Sequence, residues 1–298
     1  MSALDAYMRR QRERIDAALA EYFPVDPPHP HRLFEAVRYS LLGGGKRIRP
    51  ILVLATCEAV GGDSQRALPY ACAIEMIHTY SLIHDDLPAM DDDTMRRGRR
   101  TNHVVFGDAL AILSGDALLT EAFTVLAQSA ASDPEPARAW RATREIAEAA
   151  GVRGMVGGQA ADIAAQGVTP ALAMVEYIHV RKTGAMLLAA VRVGATIGGA
   201  DEASLRPLTR YGECIGLAFQ IADDILDAEA PPEMTGKTPG RDTQLHKATF
   251  PAVVGLPAAK QRARELLDQA LGALRELDAR AELLRELARW VVARACEP

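Results

Sequence analysis

The sequence has few cysteines and few aromatic residues, and each shortage excludes a class of protein. Its 298 residues include four cysteines, at positions 57, 72, 214 and 296, with no CxxC pair. That spacing excludes a disulfide framework and a zinc site, and it indicates reduced thiols in the cytoplasm. Aromatic residues form only 5% of the chain while alanine and leucine abound, which favours helices over strands.

An excess of positive charge and an apolar signal segment are also missing. The formal net charge is −5, so the overall charge gives no indication of a nucleic-acid partner. Residues 1–16 contain no apolar core of the kind that a secretory signal requires. The most apolar stretch, residues 183–200, carries Arg192 and four glycines, whereas a membrane span needs about 20 apolar residues without a central charge. We therefore predict a cytoplasmic protein with no membrane span, in which this stretch is a buried core helix.

Apolar residues recur mainly at helical spacing, and no alternating run typical of a strand is convincing. Glycine and proline separate the predicted helices near residues 24–30, 43–45, 61–63, 133–134, 167–170 and 231–240. No repeat, low-complexity segment or long linker divides the chain. The sequence therefore predicts a single all-α domain over residues 1–298, with roughly a dozen helices.

Five aspartates lie close together between Asp85 and Asp93, directly after a predicted helix. Pro88 disfavours helical geometry at Leu87, so that helix should end near Asp86. Carboxylates at a helix C-terminus are unfavourable by a few tenths to about 1 kcal/mol each, and bound cations would reverse the sign of this effect. A solvated acidic loop is the alternative interpretation. The spacing of an EF-hand calcium loop is absent.

A second acidic cluster, with Asp223, Asp224 and Asp227, lies in an otherwise apolar helical segment. On a helix, Gln220, Asp223 and Asp227 fall on one stripe. Carboxylates beside a core are costly unless they are paired or bound to metal, so a cavity-lining stripe is favoured over a solvated face. Both clusters offer oxygen ligands, which favours Mg²⁺. Because Mg²⁺ prefers a few carboxylates together with substrate phosphates, the pattern indicates a diphosphate site.

Basic residues accompany the two clusters. Lys46 and Arg49 follow three glycines at residues 43–45, and Pro50 suits the first turn of a helix that begins there. Backbone amides at a helix start, together with two cations, favour phosphate. The glycine loop alone is a weak signal, and it is not a P-loop because the Walker spacing and the following Ser or Thr are missing.

Four further basic or titratable residues have two interpretations each. Arg96 and Arg97 follow the first aspartates, and they either neutralise these acids or, pointing in different directions, bind two different anions. His78 lies two helical turns before Asp85 on nearly the same stripe, although a single helical histidine is usually structural. Lys182 directly precedes the apolar stretch, where it either snorkels to solvent or faces a ligand.

Together these motifs resemble those of the trans-isoprenyl diphosphate synthases, or polyprenyl synthetases, from about residue 43 to residue 251. The resemblance rests on the ordered segments Gly-Gly-Lys46-Arg-Ile-Arg49-Pro, Asp85-Asp-Leu-Pro-Ala-Met-Asp91, Arg96-Arg97-Gly98, Gly157-Gly158-Gln159, Lys182-Thr183-Gly184, Gln220-Ile-Ala-Asp-Asp-Ile-Leu-Asp227 and Gly236-Lys237. The overall pattern is most similar to the bacterial farnesyl diphosphate synthases. Residues 228–235 depart from it, because the family more often has Gly-Asp there.

The resemblance implies a fold, a reaction and a set of site residues. It implies an all-α isoprenoid synthase fold with helices around a deep central cavity, usually homodimeric. The reaction would join isopentenyl diphosphate to an allylic diphosphate such as dimethylallyl or geranyl diphosphate, with three Mg²⁺ ions. The residues carried over are Asp85, Asp91 and Asp223 for the ions, with Asp227 in support; Arg96, Lys182 and Lys237 for the allylic diphosphate; Lys46, Arg49, His78 and Arg97 for isopentenyl diphosphate; and Thr183 and Gln220 as weak dipoles toward the allylic cation.

Product length is predicted from Tyr80, five residues before Asp85. In the family, bulk at this position accompanies short products, which favours farnesyl diphosphate (C15) over the alternative, geranylgeranyl diphosphate (C20). On an ideal helix, however, five residues would turn Tyr80 well away from Asp85 and into ordinary core.

Two rival functions agree less well with the motifs. A class I terpene cyclase usually carries N-D-x-x-S-x-x-x-E as its second metal motif and needs no second diphosphate site, whereas this chain has a second DDxxD and both basic sets. A non-catalytic subunit of a heteromeric synthase would have lost one or both aspartate motifs, and both are present here.

Overall fold

Helices form nearly all of the regular structure in a computed structural model that describes residues 2–27, 29–167, 171–229 and 249–296. The α-helices are α1 (Ala3–Tyr22), α2 (His31–Leu41), α3 (Ile48–Ala59), α4 (Ser64–Asp85), α5 (Asn102–Phe106), α6 (Asp108–Ser132), α7 (Pro136–Ala150), α8 (Met155–Ala164), α9 (Leu172–Ile178), α10 (Ala185–Gly198), α11 (Glu202–Glu229), α12 (Phe250–Val254), α13 (Leu256–Ala273) and α14 (Glu282–Cys296). A π-helical turn spans His179–Gly184, and a 3₁₀ turn spans Ala279–Ala281. The predicted all-α fold is confirmed.

Local sequence signals explain where the helices begin and end. Ser2 and Asp5 form a reciprocal capping box at the start of α1. The side chain of Asp63 caps α4 by accepting a hydrogen bond from the amide of Gln65. At its other end α4 stops at Asp85, as the proline at position 88 predicts.

A short hairpin, which the helical periodicity of the sequence does not predict, lies between α4 and α5. Strands β1 (Met95–Arg96) and β2 (Arg99–Arg100) pair antiparallel. The two residues that join them, Arg97 and Gly98, have φ values of 53° and 73°. Positive φ at both central positions matches a turn that suits the twist of paired strands. The turn also separates the directions of the two neighbouring arginines.

The core is centred on α3 and α10, which are buried on most sides, as expected for helices that are apolar all round. Gly194 permits their close approach, because a Cβ there would lie 2.3 Å from the carbonyl oxygen of Val53. The Arg192 guanidinium on α10 forms an ion pair with Glu145 of α7 at the edge of this core. The interpretation of residues 183–200 as a buried helix is therefore confirmed.

The start of that helix differs from the prediction. The sequence places a helix start at Thr183, but α9, the π-helical turn and α10 follow one another from residue 172 to residue 198. Lys182 and Thr183 lie inside the π-helical turn. A π turn carries one extra residue and often occurs at functional sites. The extra residue changes the direction in which the side chains of this segment project, while the helical stretch continues without a break.

The helices surround a central cavity of about 1480 Å³. Its wall is built from α3, α4, α8, the π-helical turn, α11 and α14. Both the apolar and the charged residues of these helices reach it. The predicted arrangement of helices around a central cavity is confirmed.

Among the described residues, one helix, α6, is long and apolar enough by composition to cross a membrane. Such a helix is weak evidence, since core helices of globular proteins pass the same test. The helix packs against α4, where Gly115 lies next to His84, and Ala111 and Leu118 on α6 are buried. The side chains of Ile112 and Leu113 on the same helix are exposed.

Candidate active site

Twelve of the thirteen predicted site residues line the central cavity. They are Lys46, Arg49, His78, Asp85, Asp91, Arg96, Arg97, Lys182, Thr183, Gln220, Asp223 and Asp227. The thirteenth, Lys237, lies outside the described residues. Residues from four widely separated parts of the chain thus converge on one cavity.

The first aspartate cluster folds into a tight turn at the end of α4. The amide of Asp91 donates to the carbonyl of Asp85 at 2.9 Å, and the amide of Asp93 donates to the carbonyl of Asp86 at 3.1 Å. Asp85 and Asp91 line the cavity, whereas Asp86 is buried and pairs with Arg96 at 2.6–3.0 Å. Burial raises the pKa of Asp86 to about 6, against the opposing effect of Arg96.

The second cluster faces the same cavity from α11. Asp223 is partly accessible and forms an ion pair with Arg294 of α14, with 2.6 Å between Nη2 and Oδ1. Asp227 is exposed one turn further along α11. The sequence interpretation of a cavity-lining stripe is therefore correct. Asp224 also lines the cavity but is buried, with 7% of it exposed.

The donor atoms fit a hard divalent cation. Asp85, Asp91, Asp223 and Asp227 contribute only carboxylate oxygens, and none of the four cysteines lines the cavity. Within the described ranges, no three such side chains come close enough to hold a metal by themselves. Mg²⁺ matches this arrangement, because it keeps several waters and completes its shell with substrate phosphates.

Arg96 and Arg97 point in different directions, which agrees with the hypothesis that they bind two different anions. Arg96 pairs with the first aspartate cluster, so it also neutralises Asp86. The Arg97 guanidinium instead donates to the carbonyl of Gly44 in the glycine loop. The hairpin turn therefore places one cation beside the carboxylates and the other beside the loop.

A second basic group surrounds the glycine loop. Nη1 of Arg49 lies 3.3 Å from Nε2 of His78, and Nζ of Lys46 lies 5.5 Å from the ring centre of Trp290. Burial and the neighbouring arginines, Arg49 foremost, hold the pKa of His78 well below its usual value. The imidazole is thus neutral at pH 7 and serves as a hydrogen-bonding group next to a permanent guanidinium.

This neutral histidine predicts a pH dependence of stability. Because the pKa of His78 is depressed in the folded state, its contribution is fully present above pH 6.5. It is lost as the pH falls below 6.5, since the unfolded chain then binds the proton. We expect a loss of at most about 1.4 kcal/mol per pH unit from this residue. Urea denaturation at pH 7.5 and 5.5 should show a smaller loss for His78→Gln than for wild type, and equal losses would contradict the assignment.

On the opposite wall, hydrogen bonds fix the orientation of three polar side chains. The Thr183 hydroxyl donates to Oε1 of Gln220 at 2.7 Å, and Nε2 of Gln220 donates to Oδ1 of Asp224 at 3.0 Å. The other Asp224 oxygen accepts from the amide of Phe250 at 2.7 Å and lies 3.2 Å from Nε2 of His179. The Thr183 oxygen therefore keeps its lone pairs available to the cavity.

Lys182 is held in place by α8. Its Nζ forms a 2.7 Å ion pair with Asp162, and both side chains line the cavity. Gly158 lies against the same segment, because a Cβ there would be 2.2 Å from the backbone nitrogen of Lys182. The Lys182 side chain therefore faces the cavity and does not extend to bulk solvent.

Several residues of the site were not assigned a role from the sequence. Asp224 is adjacent to a predicted ligand, and Asp162 follows the quoted Gly157-Gly158-Gln159 segment by three residues, one helical turn. Both could have been found by helical spacing. Arg294 gives no comparable signal, since its place beside Asp223 depends on the packing of α14 against α11.

Comparison with known proteins agrees with this geometry. The family model described as "Polyprenyl synthetase" matches residues 30–287. The chain is 46% identical to a farnesyl diphosphate synthase of Geobacillus stearothermophilus over 292 residues, 98% of each chain. It is 47% identical to the chloroplastic geranylgeranyl pyrophosphate synthase 12 of Arabidopsis thaliana over 274 residues, 90% of this chain and 76% of the relative.

A solved structure shows the same architecture. The crystal structure of an FPP/GFPP synthase from Zymomonas mobilis, in its apo form, superimposes with a TM-score of 0.87 at 41% identity, covering 97% of this chain and 99% of the other. Agreement over nearly the full length of the Geobacillus and Zymomonas proteins shows that the chain belongs to the polyprenyl synthetase family and is a short-chain trans-prenyl diphosphate synthase, a prenyltransferase.

Proposed function

We propose that the protein condenses isopentenyl diphosphate with dimethylallyl or geranyl diphosphate and releases farnesyl diphosphate as its main product. The observation that carries this proposal is the presence of two separate cationic groups on one cavity. Lys182 and Arg96 accompany the aspartates, whereas Lys46, Arg49 and Arg97 surround the glycine loop. Two diphosphates in one cavity require two such groups.

Ionisation of the allylic substrate would occur beside the aspartates. The carbon–oxygen bond breaks and leaves an allylic cation and a diphosphate. Negative charge grows on the diphosphate, so cations already in position stabilise the transition state more than the ground state. Lys182 is held by Asp162 and Arg96 by Asp86, which keeps both charges in place before the reaction.

Divalent cations fit this end of the cavity. Asp85, Asp91 and Asp223 would hold Mg²⁺, with Asp227 in support, and three ions are expected. When bound, Mg²⁺ supplies Lewis-acid stabilisation to the departing diphosphate and cancels the repulsion between the carboxylates. The present counter-charge of Asp223 is Arg294.

The cation and the second substrate would meet between the two basic groups. The Thr183 hydroxyl oxygen, oriented by Gln220, turns a weak dipole toward the electron-poor carbon. The double bond of isopentenyl diphosphate, held by Lys46, Arg49 and Arg97, attacks that carbon. The carbon–carbon bond forms, and the adduct loses a proton to the released diphosphate. A neutral His78 beside Arg49 adds a hydrogen-bonding group without adding charge.

A single set of incubations tests the proposal. The enzyme with Mg²⁺, isopentenyl diphosphate and each allylic primer should release C15 product, identified by chromatography after phosphatase treatment. A C20 main product would favour the geranylgeranyl alternative, to which the Arabidopsis relative lends support at 47% identity. A cyclised hydrocarbon from a single allylic substrate would contradict the proposed function.

Tyr80 supports the shorter product. Its side chain lines the cavity, 7% of it is exposed, and its ring packs edge-on against His84 with centres 5.8 Å apart. Despite the five-residue offset, Tyr80 therefore lies on the same cavity as Asp85. A ring in this position would obstruct a hydrocarbon tail that extends along α4.

Removal of this ring should lengthen the product. We expect Tyr80→Ala to shift the main product from C15 toward C20 or longer, because the substitution opens the space beside His84. Product analysis under equal substrate concentrations measures the shift, with Tyr80→Phe as the control that keeps the ring. An unchanged distribution in Tyr80→Ala would show that another part of the wall determines product length.

We also propose that the protein is a homodimer in the cytoplasm. An apolar surface on α5 and α6, formed by Val104, Val105, Ile112 and Leu113, is exposed. Apolar surfaces of this kind mark association sites in many proteins. Sedimentation equilibrium would show a mass of two chains, and the mass of one chain would contradict the proposal.

A further inference from the structure

A buried ion pair lies directly beneath the glycine loop. The Arg47 side chain is closed to solvent and binds three helices: Nε donates to Asp16 of α1 at 2.8 Å, Nη1 to Glu75 of α4 at 2.6 Å, and Nη2 to the carbonyl of Leu41 in α2 at 2.6 Å. We call the buried Arg47–Glu75 pair the clasp. Together with the other two contacts of Arg47, it joins three helices at the residue that precedes α3.

The backbone at this point depends on the clasp. Arg47 caps α3 with φ 54° and ψ 34°, a left-handed conformation that residues other than glycine rarely adopt. Such a conformation persists where the surroundings hold it. Lys46 precedes this residue and Arg49 follows it by two. The direction of both cationic side chains therefore depends on how Arg47 is held.

Glu75 connects the clasp to the cavity. It lies one helical turn before His78 on α4 and lines the cavity with Arg49. Among the described residues, its second oxygen, Oε2, is buried without a hydrogen-bond partner. Burial lowers the pKa of Arg49, and the Glu75 carboxylate acts against that effect. Glu75 thus supplies negative charge that favours the charged form of both buried guanidiniums, Arg47 by direct contact and Arg49 at longer range.

We propose that Arg47 and Glu75 are positioning residues for the second diphosphate. The clasp holds the junction between the glycine loop and α3 so that Lys46 and Arg49 direct their charges at the same anion. This inference rests on the proposed function, since it assigns isopentenyl diphosphate to that group of cations. The competing explanation is that the clasp only stabilises the fold.

Paired substitutions separate positioning from stability. Removing one partner of a buried ion pair leaves the other charge uncompensated, whereas replacing both with apolar residues of similar size often restores stability. Arg47→Met and Glu75→Leu alone should each lower Tm. The double variant should recover Tm to within about 5 °C of wild type. Its KM for isopentenyl diphosphate should stay at least about tenfold raised, because small displacements of binding groups have large kinetic effects.

The ratio of the two Michaelis constants is the deciding measurement. The KM for the allylic diphosphate should change by no more than about twofold, since Lys182 and Arg96 are held by other carboxylates. A double variant with recovered Tm and wild-type values of both constants would overturn the positioning role. If the wild-type enzyme does not condense the two substrates, the proposed function and this inference both fail. If wild type is active and the double variant keeps both wild-type constants, only this inference fails.

Two further variants complete the test. Arg192→Met combined with Glu145→Leu removes a partly buried pair between α10 and α7 that does not line the cavity, so it should alter stability and leave both constants unchanged. Arg47→Lys keeps the charge but loses the three-way fork. If the Arg47–Glu75 double variant does not fold, a folded Arg47→Lys protein with raised KM for isopentenyl diphosphate supports the inference, and unchanged constants overturn it.

Discussion

Asp85→Ala and Asp223→Ala should each lower turnover at least about a thousandfold. Each substitution removes a carboxylate from the place where the proposed cations would meet the leaving diphosphate. Asp85 is at the end of α4 and Asp223 is on α11, so the two variants test opposite walls of the cavity. Steady-state turnover with saturating Mg²⁺ and both substrates is the measurement.

A carboxylate outside the cavity provides the control for these two variants. Asp268→Ala removes an exposed carboxylate on α13 outside the cavity and should leave turnover unchanged. Circular dichroism should show all three variants folded. Turnover within tenfold of wild type for either cavity variant would contradict the assignment of these aspartates to the metals.

Arg49→Ala and Lys182→Ala should each raise the KM of a different substrate. Arg49 lies with His78 near the glycine loop, whereas Lys182 is bound to Asp162 on the other wall. A hydrogen bond to a charged group contributes about 1.5–3 kcal/mol. We therefore expect Arg49→Ala to raise the KM for isopentenyl diphosphate about 10- to 100-fold, and Lys182→Ala to raise that of the allylic diphosphate by a similar factor.

The comparison requires both constants for each variant. His78→Ala should follow Arg49→Ala in direction, with a smaller effect because the imidazole is neutral. Arg262→Ala, which removes a cation outside the cavity, should change neither constant. Indistinguishable pairs of constants for Arg49→Ala and Lys182→Ala would show that the division of the basic residues is wrong.

Local rules account for the parts of the structure that were predictable from the sequence. The end of α4 at Asp85 follows from the proline three residues later, and the stripe on α11 follows from helical periodicity. Family motifs then brought together residues that no local rule connects. Lys237 and the departure at residues 228–235 are different cases, because the former and most of the latter lie outside the described residues.

Packing between distant segments accounts for what the sequence did not reveal. The clasp joins positions 47 and 75, and its existence depends on how α1, α2 and α4 meet. Arg294 reaches Asp223 across 71 positions of sequence. The π-helical turn was also missed, since it is an insertion of one residue into an otherwise regular periodicity. A single sequence does not encode such contacts as a pattern.

The contact between Gly158 and the backbone of Lys182 has a consequence for engineering. A side chain at position 158 would force α8 away from the π-helical turn, and Lys182 would move with it. Two other α8 residues, Val156 and Ile163, line the cavity and are partly exposed there. A mutant library aimed at longer isoprenoids should therefore diversify positions 156 and 163 and keep glycine at 158, so that the pocket changes shape while Lys182 stays in register.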